Sequence, residues 1–226
     1  MPSGRLRMKV EFDDFFWSSE TDEKSSVFQL FPSVFGDSRG FFVEQWKLQD
    51  GTAQYWFQRE NWIRQINTSC SHRLTIRGCH AQSGKYCQAK MVFAQTANLY
   101  DFIIDARPDS MTFGKSKVYL LDSNSQNKLF VPRGFLHSFI TTDEDTKFLF
   151  TYFCDNVYSK DSEVSVNPSS IVPKKMMEYI VENNIDDFLS YGDLDISDKD
   201  RNSVELEEFL HGVQDTWKTN GTLWYK

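Results

Sequence analysis

The sequence predicts an all-β fold, a sandwich, jelly roll or barrel, with an N-terminal extension before it and helices after it. Three observations carry that prediction. Aromatic residues make up 15% of the chain, with 20 Phe, 9 Tyr and 6 Trp, a composition that suits pleated, half-buried surfaces better than a helical bundle. Short runs rich in Val, Ile, Phe and Tyr alternate with turn clusters. No helical period interrupts them until about residue 168.

Residues 1–27 are mixed, polar and aromatic, and read as an extension or arm. Residues 28–165 carry the β signals. Strands are predicted at Lys90–Phe93, Tyr100–Asp105, Lys117–Leu121, Lys128–Val131, Phe135–Thr141 and Lys147–Cys154. The clusters Gln95–Asn98, Asp122–Ser125 and Asp143–Asp145 are the turns between them. Several strands at this spacing make a sandwich or barrel. Residues 166–226 read as a helical tail packing on the sandwich. Pro173 opens a helix that continues through Lys174–Val181, with Ile185, Phe188 and Leu189 at helical spacing, and a second helix falls near Ser203–Val213.

At 226 residues the chain fits one large domain, or one domain with extensions. Its net charge is −7 and no Lys/Arg run exceeds two residues, which argues against a nucleic-acid groove and against a basic membrane-binding face. No apolar stretch approaches the roughly 20 residues that span a bilayer. The N-terminal segment has no apolar run of signal-peptide length, so a cytoplasmic protein is expected. Cys70, Cys79, Cys87 and Cys154 show neither C-x-x-C pairing nor zinc-ribbon spacing. They read as reduced thiols acting as small apolar residues.

The chemistry concentrates in a series of short motifs. Arg77-Gly78-Cys79-His80-Ala81-Gln82 is followed by Gln88-Ala89-Lys90. Around them lie Gly36–Glu44, Gln65–Ser69, Asp105–Gly114 and Val131-Pro132-Arg133-Gly134-Phe135-Leu136-His137-Ser138-Phe139. In this order and spacing the series resembles the dTDP-4-dehydrorhamnose 3,5-epimerase family, jelly-roll proteins of the cupin type. The matching stretch covers roughly residues 34–163, plus a short tail at Ile196-Ser197-Asp198-Lys199-Asp200. The resemblance implies a cupin-type jelly-roll β-sandwich and an epimerase that inverts C3, C5 or both of a nucleotide-linked 4-keto sugar, in deoxysugar or surface-polysaccharide synthesis.

Elementary chemistry agrees with that implication. The hydrogens on C3 and C5 of a 4-keto sugar are acidic because removing either gives an enolate delocalised onto the C4 oxygen. Inversion needs a base on one face, an acid on the other and a cation or donor at that oxygen. Imidazole suits the base, and a carboxylate behind it fixes its tautomer.

By resemblance, His80 matches the family's catalytic base and Asp200 the carboxylate that partners it. Lys90 matches the lysine near the sugar, and Arg77 an arginine contacting sugar or pyrophosphate. Arg39, Glu44, Gln65 and Asn67 match positions that hold the nucleotide. Tyr158 matches the base-stacking tyrosine and His137 a second pocket histidine. The residue types alone leave structural readings open: His137 could donate a buried hydrogen bond, Arg39 sits in a Gly-Asp-Ser-Arg-Gly turn, and Asp200 could be a charge on a loop.

The acid position is ambiguous. Counting forward from His137 gives Phe150, and counting back from Glu163 gives Tyr152. Both share a strand face, about 7 Å apart. A two-residue insertion in Thr142–Thr146 would assign the acid to Tyr152, a phenol expected to be acidified by nearby Lys or Arg. Other departures are Ile66 in place of the usual Asp, and Val166-Asn167-Pro168 where the family has a W-N-D segment. His80 is followed by Ala81 and Gln82, so the metal-binding H-x-H of other cupins is missing. No metal and no cofactor are expected. A homodimer is expected, because family members pair through sheet edges and exchange N-terminal strands. Two rivals stay open: a 3,4-ketoisomerase, and a catalytically silent cupin that binds a nucleotide sugar.

Overall fold

A computed structural model describes residues 9–13, 26–45, 63–142, 145–169, 171–183, 194–220 and 224. The chain runs β1 (Lys9–Phe12), β2 (Phe28–Phe31), β3 (Val34–Asp37), β4 (Gly40–Val43), β5 (Gln65–Ser71), β6 (Thr75–Gln82), β7 (Lys90–Ala94) and β8 (Leu99–Asp105). It continues with β9 (Ser116–Leu121), β10 (Lys128–Val131), β11 (Phe135–Thr141), β12 (Phe148–Cys154) and β13 (Glu163–Ser165). The last elements are α1 (Val172–Glu182), β14 (Asp195–Ile196), α2 (Asp198–Arg201) and α3 (Leu206–Asn220). Ile185, Phe188, Leu189, and Asp143 and Glu144 of the predicted turn lie outside the described residues.

Two sheets make the jelly-roll sandwich. Sheet one has the order β1-β2-β10-β7-β12-β5, and sheet two the order β13-β6-β11-β8-β9, with β14 pairing parallel to β6. The six strands predicted above correspond to β7 through β12, with ends differing by no more than one residue. β5 and β6 were read as motifs rather than as strands.

Three apolar clusters hold these layers. Between the sheets, Val92, Leu129, Val131 and Phe150 meet Leu99, Ile103, Phe135 and Phe139. On the outer face of sheet two, Tyr100, Phe102, Ile104 and Leu136 pack against Val172, Met176 and Ile180 of α1. Those three helical residues recur every fourth position, which puts them on one face. The same cluster holds Trp224, fully buried, its indole Nε1 donating to the Ala106 carbonyl at 2.7 Å. The third cluster covers the outer face of sheet one with Phe28, Met91, Phe93, Phe130 and Phe153. Because β8 is covered on both faces, every one of its residues is buried, and its sequence shows an apolar run rather than alternation.

One irregularity positions the site. β6 pairs with β11 so that His80 lies opposite His137 and Arg77 opposite Phe139. Two steps on β11 thus span three on β6, which is a bulge. On a regular strand, positions 77 and 80 would point to opposite faces; the extra residue turns both to the same cleft. Gly78 sits in the bulge with φ +105°, and a Cβ there would lie 2.4 Å from the His137 carbonyl oxygen and 2.9 Å from Ser138 Cα. Only glycine permits so close an approach of two backbones.

Gly78→Ala is therefore expected to lose about 2 kcal/mol or more of folding stability. Gly212→Ala, on α3 with open space around it, is expected to gain about 0.5–1 kcal/mol. Urea unfolding of both variants checks this; an unchanged midpoint for Gly78→Ala would contradict the close approach.

Candidate active site

A cleft opens between the sheets in two connected lobes of about 500 and 300 Å³. His80 from β6, Lys90 from β7 and Tyr152 from β12 line both lobes. Arg77, His137, Phe150 and Asp200 belong to the larger lobe. Gln65, Asn67, Tyr158 and Glu163 belong to the smaller one.

The pairing of β14 with β6 brings the tail to His80. Asp195 and Ile196 pair with Thr75 and Ile76. Ser197 then caps α2, its hydroxyl accepting from the Asp200 backbone N–H at 3.2 Å. One turn on, the Asp200 carboxylate lies 2.5 Å from His80 Nε2. Burial raises the Asp200 carboxyl, but the bond to His80, the cap and nearby Lys199 outweigh it and hold the group below the usual carboxylate range. An ionised Asp200 can only accept, so Nε2 donates in this pair and Nδ1 is the ring nitrogen left for other partners. Nδ1 lies 3.7 Å from Glu163 Oε1.

Glu163, used in the sequence only to count backwards to Tyr152, is a centre of contacts. It accepts from the Tyr158 hydroxyl at 2.5 Å and forms an ion pair with Lys199. Burial raises its carboxyl, while Lys199, Tyr158 and His80 together bring it below the usual range. Lys199 lay inside the tail motif but was assigned no role. Asp101 was missed too; its carboxylate meets His137 Nε2 at 2.7 Å.

Across the cleft, sheet one contributes Lys90 and Tyr152. The Lys90 ammonium lies 6.0 Å from the centre of the Tyr152 ring and hydrogen-bonds no described residue. Burial pulls it below the usual lysine range, against the attraction of Asp101 and Glu163. Phe150 is fully buried, stacked on His137 with ring centres 5.8 Å apart and packed on Phe139 at 4.4 Å. Tyr152, one step along the same face, is half-buried and touches both lobes. The expected acidification of its phenol is not what its surroundings produce. Burial raises it, and the opposing effects of Arg77 and Asn67 do not compensate.

The remaining predicted residues divide into two groups. Gln65 donates to Asn67 at 3.0 Å and accepts from the Tyr158 backbone N–H at 2.7 Å, which joins these three in the smaller lobe. Arg77 is held by Ser71 at 2.9 Å and the Cys70 carbonyl at 3.2 Å. Arg39 and Glu44 line neither lobe. Arg39 sits at the tip of the β3–β4 hairpin, exposed and paired with Asp37 at 2.6 Å. Among the described residues, no three His, Cys, Asp or Glu side chains converge as metal ligands do.

The lowered carboxyls tie stability to pH. A carboxyl depressed in the folded state is protonated more readily in the unfolded chain, so its contribution is complete above the unfolded value near 4 and is lost as pH falls through the folded one. Asp200→Asn is expected to lower stability at neutral pH and to flatten the fall between pH 5 and pH 3. Urea unfolding across that range checks it; an unaltered slope would mean that Asp200 is not held by His80.

A family model described as dTDP-4-dehydrorhamnose 3,5-epimerase matches residues 23–208. The enzyme of that name from Salmonella typhimurium is 37% identical over 140 residues, 62% of this chain and 74% of that protein. The crystal structure of the Bacillus anthracis enzyme with TDP and PPi bound superposes with a TM-score of 0.66 at 29% identity, covering 88% of this chain and all of that one. The Legionella pneumophila epimerase in complex with dTDP-4-keto-L-rhamnose gives 0.67 at 25% identity, covering 89% and 94%. With a family model matched over most of its length, the chain belongs to the dTDP-4-dehydrorhamnose 3,5-epimerase family.

Proposed function

We propose that this chain is an epimerase inverting C3, C5 or both of a dTDP-linked 4-keto-6-deoxy sugar through an enolate, a step of deoxysugar synthesis. One observation carries the reading: His80 of sheet two, backed by Asp200 of α2, lines one cleft with Lys90 and Tyr152 of sheet one. His80 Nδ1 removes the proton from carbon, and Asp200 stabilises the imidazolium that results. Lys90, with no acceptor among the described residues, neutralises the charge that develops on the C4 oxygen. Tyr152 returns a proton from the opposite face. Its raised phenol stays protonated at neutral pH, as a proton donor must.

Gln65, Asn67 and Tyr158 receive the nucleotide in the smaller lobe, with Tyr158 as the stacking platform. Arg77 meets the sugar or its pyrophosphate. His137 contacts the sugar from the floor of the larger lobe. The relatives of known structure carrying TDP or a dTDP-sugar support the thymidine nucleotide.

Arg39 and Glu44 act on a second copy in this reading. The β3–β4 hairpin exposes Phe35, Phe41 and Phe42, at 42%, 59% and 64%, an apolar surface that costs free energy when left in water. A homodimer in which N-terminal segments are exchanged covers it and brings Arg39 and Glu44 to the neighbour's nucleotide. A substrate bearing two phosphates does not cross a bilayer unaided, so the cytoplasm is the site of action. The free thiols suit that reducing compartment, and no described helix is long and apolar enough to cross a membrane.

Incubation with dTDP-4-keto-6-deoxyglucose in D₂O, followed by proton NMR, tests the reading. The wild-type chain is expected to exchange H3, H5 or both and to form an epimer. His80→Ala should exchange neither. Tyr152→Phe should still exchange but fail to invert. Movement of the carbonyl to C3 would indicate a ketoisomerase, and binding without exchange a silent binder; either outcome overturns the proposal. Normal inversion by Tyr152→Phe would remove Tyr152 from the acid role.

A further inference from the structure

Behind the cleft lies a second His–Asp pair whose carboxylate has no part in the reaction described above. His137 lies directly opposite His80 on the neighbouring strand. Its Nε2 meets Asp101 Oδ2 at 2.7 Å, and its ring is sandwiched against Phe150. Asp101 is fully buried, in the middle of the apolar strand Leu99–Asp105. Its other oxygen, Oδ1, has no hydrogen-bond partner among the described residues. A carboxylate removed from water and left half unsatisfied is tolerated only beside a compensating cation. The only side chain within hydrogen-bonding distance among the described residues is His137, and the next cation that feels its charge is Lys90.

We propose that Asp101 is a positioning residue for the reaction: its buried carboxylate keeps His137 doubly protonated, with Nε2–H committed to Asp101 and Nδ1–H turned to the cleft, so that the ketone oxygen meets a second donor beside Lys90. This rests on the epimerase reading for its consequence and on the buried pair for its cause. His137 can do this work because its ring is held on two sides, by Phe150 on sheet one and by Asp101 on the adjacent strand. Nδ1 is the one polar atom of the ring that no described residue engages. Two donors fixed at the place where charge develops cost no reorganisation when the enolate forms. The same carboxylate attracts the Lys90 ammonium, so one buried anion supports both donors. Groups facing the pair are His80 on β6, Tyr119 on β9, and Lys90 and Tyr152 from sheet one.

Long-range proton–nitrogen NMR of the ligand-free chain at neutral pH reads the first half directly. Both His137 nitrogens should carry protons in the wild type, and one should lose its proton in Asp101→Asn. A His137 with one bare nitrogen in the wild type would overturn the inference whatever the variant does, including failure to fold. The second half is kinetic. Asp101→Asn should lower kcat by about 10- to 100-fold, with dTDP affinity by calorimetry unchanged, and should add nothing to the loss in His137→Asn. Full kcat in Asp101→Asn, or losses that simply multiply in the double variant, would overturn it. Absence of turnover by the wild type would instead defeat the epimerase reading and leave the NMR result to decide on Asp101 alone.

Discussion

The β6–β11 contact governs what this sandwich can do. Two neighbouring strands approach so closely at Gly78 that a single added carbon would strike the backbone of β11. In exchange, the extra residue on β6 lets Arg77 and His80, three positions apart, face the same cleft. A regular strand would bury one of them among the apolar contacts under α1. The same pairing fixes His137 opposite His80, and the β8 strand beside it supplies Asp101. Most of the chemistry of sheet two therefore follows from one bulge and its neighbour.

The other half of the site depends on a long-range closure. His80 and Asp200 are 120 residues apart in sequence and meet because two residues of β14 pair with the start of β6. Lys199 on the same short helix reaches Glu163. The tail thus holds both carboxylates that flank His80, and with α1 and Trp224 it covers the outer face of the sheet that bears it. The same segment supplies both stability and the orientation of the His80 ring.

Much of this was legible from residue patterns. β7 through β12 are aromatic and β-branched runs between turn residues, and they are where those patterns predicted them. β5 escaped notice because Gln65–Ser71 is a polar edge strand whose residues alternate between half-buried and exposed. β6 escaped because Gly, Arg and His hide its strand character. Asp101 did leave a signal, a carboxylate set within the apolar run that ends at Asp105, and that signal went unused. Glu163 and Lys199 acquire meaning only from tertiary contacts. The effect of burial on Tyr152 could not be read from the cations near it in sequence, since it depends on how far the sheets close over the ring. Arg39 and Glu44 resemble nucleotide-binding positions yet line neither lobe of their own cleft, a separation that motif spacing does not reveal.

A crystal structure with dTDP-glucose bound tests the opposed arrangement most directly, because that sugar lacks the ketone and is not turned over. His80 Nδ1 and the Tyr152 hydroxyl should lie on opposite faces of the pyranose ring, with His80 within about 3–3.5 Å of C3 or C5 and Lys90 on the C4 oxygen. A sugar with both groups on one face, or with Phe150 rather than Tyr152 against it, would contradict the mechanism.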